Sequence, residues 1–122
     1  MMTSRATIGA ISINTFLSTT NQGFITCLPN EKVPLYYLYH WLKQHVPLFI
    51  DLGSGATFKE INKGNFNKIK ILLPEAKMLM QFEAKLKSIG SLILCLQRKN
   101  RSLTKIRDIL IPQLVTGKRI LK

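Results

Sequence analysis

Residues 74–110 read PEAKMLMQFEAKLKSIGSLILCLQRKNRSLTKIRDIL, and this stretch decides the fold. Apolar side chains recur in it at alternating spacings of three and four, the heptad pattern of a coiled-coil helix. Pro74 suits a helix start and Pro112 a helix stop. We therefore predict one long helix whose seam, the set of residues that faces a partner helix, consists of Leu79, Phe82, Leu86, Ile89, Ile93, Leu96, Asn100 and Leu103.

The predicted helix is longer than the rest of the chain can cover. At 1.5 Å per residue it would extend on the order of 50 Å, and the chain contains no second helical pattern of that length. We expect another helix to cover the free part of the seam. Asn100 at a heptad a position favours a register in which it meets another polar group, unless the seam ends near Leu96 and Asn100 is simply exposed.

The balance of charge is the strongest signal in the composition. The chain has 122 residues and a formal net charge of +12, from 18 Lys and Arg against 6 Asp and Glu. A small basic chain usually meets a polyanion, either nucleic acid or an anionic membrane surface, although basic composition alone also fits a merely soluble protein. One basic run follows the seam, at Arg98, Lys99, Arg101, Lys105 and Arg107; it predicts either a solvated helix face or an anionic partner.

Enzymatic and metal chemistry have little support in the sequence. Cys27 and Cys95 lie far apart, so we expect two small buried thiols in a reducing compartment and no disulfide. His40 and His45 are five residues apart, a poor spacing for a ligand pair on a helix. With no cofactor fingerprint and no run long enough to span a bilayer, we expect no catalytic residue, no metal, no cofactor, no membrane segment and a cytoplasmic location.

The first 73 residues read as a small mixed sheet with short helices. β-rich runs predict strands over 6–14, 23–29 and 66–73. Helical periodicity over 34–45, ended by Pro47, predicts a helix. Its aromatic residues, Tyr36, Tyr37, Tyr39 and Trp41, are expected to pack the helix against the sheet, with base stacking as the alternative. The predicted fold class is therefore α+β.

A glycine-containing segment, Gly53 to Ile61, stands out between the predicted helix and the last predicted strand. Its glycines allow backbone N–H groups to surround an anion, and Lys59 and Lys63 add positive charge. The spacing of a phosphate-binding P-loop is absent, so a nucleotide cofactor is not expected. A contact to a phosphodiester remains open beside the simpler interpretation, an ordinary turn before a short helix.

Several short motifs, taken in order, resemble the specificity subunit of type I restriction–modification systems. They are RATIG (5–9), NQGF (21–24), GATFKEI (55–61), the passage into Leu73-Pro74, the long helix, and LTKIRDILIPQLVTGK (103–118). Each motif is weak alone, but their order and spacing together are a strong signal. The resemblance covers almost the whole chain.

The resemblance implies a division of the chain and a set of partners. Residues 1–73 would be the later part of a target-recognition domain, 74–111 its spacer helix and 112–122 a C-terminal tail. The family's subunit carries two such domains with antiparallel helices, has no catalytic residues, and recruits methyltransferase and in many systems endonuclease subunits. Because the first part of the domain and the second domain are missing here, we expect a truncated gene product, an isolated fragment or a split subunit.

The DNA-binding candidates are chosen mainly by their positions in the motifs that resemble the family. The DNA-binding candidates are Arg5, Thr7, Gly9, Gly55, Thr57, Lys59 and Lys63. For all of them except Lys63, the resemblance implies contact with double-stranded DNA, and Lys63 is included for its charge beside the glycine-containing segment. Arg and Lys are expected to neutralise phosphates. The seam would pair with a second spacer helix from another copy or a split partner. The alternative hypothesis is a homodimeric coiled-coil protein in which DNA recognition is vestigial.

Overall fold

The computed structural model describes residues 1–55 and 57–119. These residues form two short strands and four helices: β1 (Met2–Thr3), β2 (Phe24–Ile25), α1 (Leu35–Gln44), α2 (Val46–Asp51), α3 (Lys63–Asn67) and α4 (Ala76–Val115). The strands pair antiparallel, with Met2 opposite Ile25 and Thr3 opposite Phe24. The predicted α+β class, with one long helix at the end, is confirmed.

The chain divides into two compact units between Glu83 and Ala84. The first unit has a small core of fully or nearly buried side chains: Met2, Ile8, Ile25, Leu42, Phe49 and Ile61. Trp41 of α1 and Phe66 of α3 pack against that core. For Trp41 this agrees with the expectation that the aromatic residues of α1 serve packing. The second unit, from Ala84 onward, consists of the rest of α4 and the turn that follows it. The domain boundaries predicted after residues 73 and 111 stay predictions.

Two predicted strands are wrong. Residues 6–9 form a turn in which Ala6 and Gly9 have positive φ angles of 61° and 97°, values that a strand does not contain. Residues 10–14 have no regular structure beyond an isolated bridge between Ile11 and Met2. Residues 66–73 begin as the last turn of α3 and continue without regular structure. Phe66 and Ile69 both pack against the core at a helical spacing of three, so burial of these two side chains overrides the alternation of Lys68 and Lys70 with apolar residues.

The ends of the helices differ from the predictions at two prolines. Pro47 is the second residue of α2 instead of only ending α1, because a proline in the first turn of a helix loses no hydrogen bond there. Pro112 lies inside α4, which continues to Val115. The loss of one N–H donor so close to the end is offset by Gly117, whose φ of 67° and whose N–H bond to the Leu114 carbonyl close the helix.

Both cysteines are free thiols in the structure. Cys27 is partly buried against the core, and this burial raises the pKa of its thiol, with a smaller opposing effect from the charge of the N-terminal ammonium group. Cys95 is exposed on α4, so the expectation that both cysteines are buried is wrong for Cys95.

In the part of the chain that the structure describes, no helix combines the length and apolar character needed to cross a membrane.

A carboxylate from the start of α4 caps the N-terminus of α1. Pro34 at the N-cap of α1 has no side chain that accepts a hydrogen bond. The Glu83 carboxylate instead accepts hydrogen bonds from the backbone N–H of Tyr36, at 3.0 and 3.2 Å, and of Tyr37, at 3.3 Å. A negative charge is favourable at this end of a helix, since the unpaired N–H groups and the helix dipole are positive there. The contact fixes α4 against α1 within the first unit, beside the edge-on contact of Tyr37 with Phe82.

We predict that Glu83→Ala lowers the free energy of unfolding by about 1–2 kcal/mol, because two N–H donors lose their acceptor. Urea unfolding of the full chain measures this change. Glu31→Ala, which removes an exposed carboxylate from a turn, is the control and is expected to change stability by less than about 0.5 kcal/mol. Equal stability losses in the two variants would contradict the capping role.

Candidate nucleic-acid interface

Two loops of the first unit lie side by side. The first loop is Arg5–Gly9, and the second is residues 53–59, of which Ala56 lies outside the described residues. Their backbones are joined where the Ala6 N–H donates to the Lys59 carbonyl at 3.2 Å and the Ile61 N–H donates to the Ser4 carbonyl at 3.0 Å. Arg5 and Glu60 therefore face each other as an antiparallel bridge. Segments separated by about fifty positions in the sequence form one surface.

The second loop is closed at its base by its own backbone. Ser54 and Glu60 exchange hydrogen bonds in both directions, at 3.0 Å from the Ser54 N–H and 2.9 Å from the Glu60 N–H. Glu60 thus forms two antiparallel bridges, one with Arg5 and one with Ser54. The tip of the second loop, with Thr57 and Phe58, projects from this closed base into solvent.

Thr3 holds the first loop in its turn. Its backbone N–H donates to the Ala10 carbonyl at 3.0 Å, and its carbonyl accepts from the Gly9 N–H at 3.1 Å. Its hydroxyl donates to the Thr7 carbonyl and accepts from the Ala10 N–H. Because Thr3 belongs to β1, the loop is attached directly to the sheet.

Each loop is also anchored in the core by one isoleucine. Ile8 of the first loop is 7% exposed, and Ile61, just after the second loop, is 1% exposed. Gly53 lies against Ile8, since a Cβ added at Gly53 would be 2.8 Å from the Ile8 Cδ1 atom. The anchors place polar parts of both loops at the surface while their apolar residues remain buried.

The exposed side chains of the two loops are polar, basic or aromatic. Arg5, Thr7, Thr57, Phe58 and Lys59 are all exposed. Parts of both loops line an open cleft of about 360 Å³. The Arg5 guanidinium lies 3.8 Å from the Glu60 carboxylate, and each side chain is about half exposed to water. This ion pair is therefore weak and leaves Arg5 available to another anion.

The two glycines among the predicted DNA-binding residues act through the backbone. A Cβ at Gly9 would lie 2.4 Å from the Val46 Cγ1 atom, and a Cβ at Gly55 would lie 2.3 Å from the Phe58 carbonyl oxygen. Both residues have positive φ, at 97° and 131°. They shape the loops, and side chains from neighbouring positions provide the chemistry.

Lys63 is placed differently from the other predicted residues. It is the first residue of α3, whose N-terminus is capped by the Asn62 side chain accepting from the Asn65 N–H at 2.8 Å. Lys63 is exposed, two residues beyond the buried Ile61. The sequence reasoning did not single out Phe58 and Glu60 as site residues, although both lie inside the GATFKEI motif that it quoted.

The predicted seam is buried at one end only. Leu79 is 7% exposed, and Phe82 contacts Tyr37 and His40 edge-on. In the second unit the seam side chains are open to solvent, with exposed fractions of 54% for Ile89, 50% for Ile93, 49% for Leu96 and 62% for Leu103. Leu86 is half-buried and Asn100 is exposed.

No cluster of three or more His, Cys, Asp or Glu side chains that could hold a metal ion occurs among the described residues. The groups assembled in the two loops are instead suited to binding an anion, because they combine two cations with hydroxyls. Guanidinium and ammonium groups neutralise phosphates, and hydroxyls donate hydrogen bonds to phosphate oxygens.

The sequence that carries both loops matches a known family. Residues 1–104 match the model of the type I restriction modification DNA specificity domain. The chain belongs to this family. Both loops and most of α4 lie inside the matched region.

Individual members of the specificity family show the same relationship. The chain is 35% identical over 115 residues to the type I restriction enzyme HindI specificity subunit of Haemophilus influenzae, covering 92% of this chain and 25% of that protein. It is 30% identical to the putative MjaX specificity subunit of Methanocaldococcus jannaschii, over 93% of this chain and 27% of the relative. The MjaIX specificity subunit of the same organism is 31% identical, over 87% of this chain and 25% of that protein.

The chain therefore spans about a quarter of the length of the curated family members that it matches. No solved structure gives a significant match.

We predict that Gly9→Ala destabilises the protein by about 2–4 kcal/mol, through the contact with Val46 and the strain of a positive φ. Thermal or urea unfolding of the full chain measures the effect. The matched test is the double variant with Val46→Ala, which removes the two methyl groups nearest to the added Cβ. It should lose less stability than the sum of the single variants; additive losses would show that Val46 does not limit the approach at Gly9.

Proposed function

We propose that this chain is a DNA-recognition component of a type I restriction–modification complex, without catalytic activity of its own. The observation that carries the proposal is the joining of RATIG and GATFKEI, two of the motifs that resemble the family, into one exposed surface. The polar side chains of that surface are Arg5, Thr7, Thr57 and Lys59. Lys63 extends the positive charge along α3.

In the proposed complex, the two loops bind the DNA duplex. Arg5 and Lys59 neutralise phosphates, while Thr7, Thr57 and loop N–H groups fix the position of the duplex by hydrogen bonds. The hydrogen bonds between the loop backbones support this role, because a contact surface that is already ordered loses little entropy on binding. Gly9 and Gly55 contribute by keeping the two turns tight.

The chain corresponds to about a quarter of the length of the curated specificity subunits, so we assign it one recognition region and its spacer helix in the proposed complex. The exposed seam of α4 supports pairing with a second spacer helix, from another copy or a split partner. A methyltransferase subunit, and in some systems a restriction subunit, would dock on the paired helices and carry out the chemistry. The chain itself would act by positioning these enzymes on a DNA site.

We predict that Arg5→Gln combined with Lys59→Gln lowers affinity for a specific duplex at least about tenfold, because two contacts to the DNA are lost. The duplex is first obtained by selection from a random pool with the full chain and its methyltransferase subunit, and affinity is then measured by fluorescence anisotropy. Lys32→Gln combined with Lys43→Gln removes the same charge from exposed positions outside the loops and should leave the affinity within about threefold of the unchanged chain. The proposal would be refuted if the selection enriched no DNA sequence and the complex showed no salt-dependent binding to duplex DNA.

A homodimer is the second candidate, favoured by the solvent exposure of Ile89, Ile93, Leu96 and Leu103. Apolar side chains repeated at heptad positions are typical of a surface that another helix covers. In a homodimer the covering helix is the α4 of a second copy. This pairing is compatible with DNA recognition but does not require it, so it needs its own test.

We predict that Leu86→Lys combined with Ile93→Lys abolishes self-association of the purified chain, because each lysine would place a charge in the apolar seam. Sedimentation over a range of concentrations measures the mass. Ser88→Lys combined with Cys95→Lys adds the same charges seven residues apart on another face and should leave the mass unchanged. If both double variants had the same mass as the unchanged chain, self-association through the seam would be refuted.

A further inference from the structure

The positive charge of the chain is concentrated in the part of the sequence from Ala84 onward. Residues 84–122 contain ten Lys and Arg and one Asp, a net charge of +9, which leaves +3 of the total +12 for residues 1–83. From Ala84 to Arg107 there are seven basic residues and no acidic residue. The cations of the two loops, Arg5 and Lys59, belong to residues 1–83, so loop contacts with DNA use none of the charge of residues 84–122.

Four of these basic residues share one face of the helix. With 3.6 residues per turn, Lys87, Arg98, Arg101 and Lys105 fall within an arc of roughly 60°. We call them the basic face. All four side chains are exposed. The seam residues of this part of α4 lie roughly 150° away around the helix.

No acidic side chain neutralises the basic face within the described residues. The salt bridges there are Arg5 with Glu60 and Arg107 with Asp108, and neither involves the face. Arg101 stands three residues after Arg98 and four before Lys105, so like charges are neighbours and repel each other on the helix surface. An external polyanion that binds along the face would relieve this repulsion.

We propose that the basic face binds the phosphate backbone of duplex DNA, independently of its sequence. This inference rests on the proposed function, because it assigns the same DNA partner a second contact. Duplex DNA fits the face better than a single anion does, since the four cations are spread over eighteen residues, about 27 Å of helix, and phosphates recur along a duplex at regular short intervals. A base-specific role is not implied, because phosphate contacts position a protein without reading sequence.

The test uses the full chain and a labelled duplex of mixed sequence, with affinity measured between about 50 and 200 mM salt. Replacing all four residues of the basic face by Gln, a good helix former, should make the slope of log affinity against log salt shallower by about 3 to 4, at roughly 0.9 per phosphate contact. Circular dichroism verifies that the helix remains.

The matched control replaces Lys32, Lys43, Lys70 and Lys77 by Gln, which removes the same charge from exposed positions of residues 1–83. Its slope should change by less than about 1. A second variant, Arg98→Lys with Arg101→Lys, keeps the charges and should keep the slope of the unchanged chain. Equal slopes for the basic-face variant and the unchanged chain, with binding still weakened by Arg5→Gln and Lys59→Gln, would overturn this inference and leave the proposed function standing. Absence of any binding to DNA by the unchanged chain, both alone and with its methyltransferase subunit, or binding to vesicles of anionic lipid only, would overturn both.

Discussion

The recognition surface depends on a few backbone hydrogen bonds between chain segments that are distant in sequence. Ser4 and Ala6 bond to the segment from Lys59 to Ile61, and Ser54 closes the other side of Glu60. A ladder this short has little stability of its own. It persists because Ile8 and Ile61 insert into the same core, so burial of apolar area fixes the position of polar loops. Any substitution that loosens this core is therefore expected to disturb the arrangement of the exposed side chains.

Tight backbone packing explains why two loops with little regular structure can be well defined. Gly9 lies too close to Val46, and Gly55 too close to the Phe58 carbonyl, for a side chain to fit. Thr3 meanwhile satisfies polar backbone groups of the first loop that would otherwise need water. The loops are thus held by backbone geometry, which leaves Arg5, Thr57 and their exposed neighbours free for a ligand.

The sequence predicted the helical parts of this fold better than the rest. Long periodic patterns are strong signals, and both α1 and α4 were predicted within a few residues at most boundaries. The strand predicted over 6–14 was wrong because local β propensity was outweighed by a turn that Thr3 and Gly9 impose. The end of α4 was missed because Pro112 was read as a stop, whereas Gly117 ends the helix. The pairing of the two loops could not be derived from spacing at all; only the resemblance to a family placed Arg5 and Lys59 in one site.

The two faces of α4 have different partners in the proposed arrangement, and their separation makes both contacts possible at once. A helix that covers Ile93 and Leu96 occupies the seam but leaves Arg98 and Arg101 open, since the two sets lie on nearly opposite sides. Pairing two such helices also brings two strongly positive rods together, which is electrostatically unfavourable without an anion nearby. Binding of DNA phosphates to the outer faces would lower that repulsion, so pairing of the helices and binding of DNA would favour each other. Helix pairing and DNA recognition are then two parts of one equilibrium.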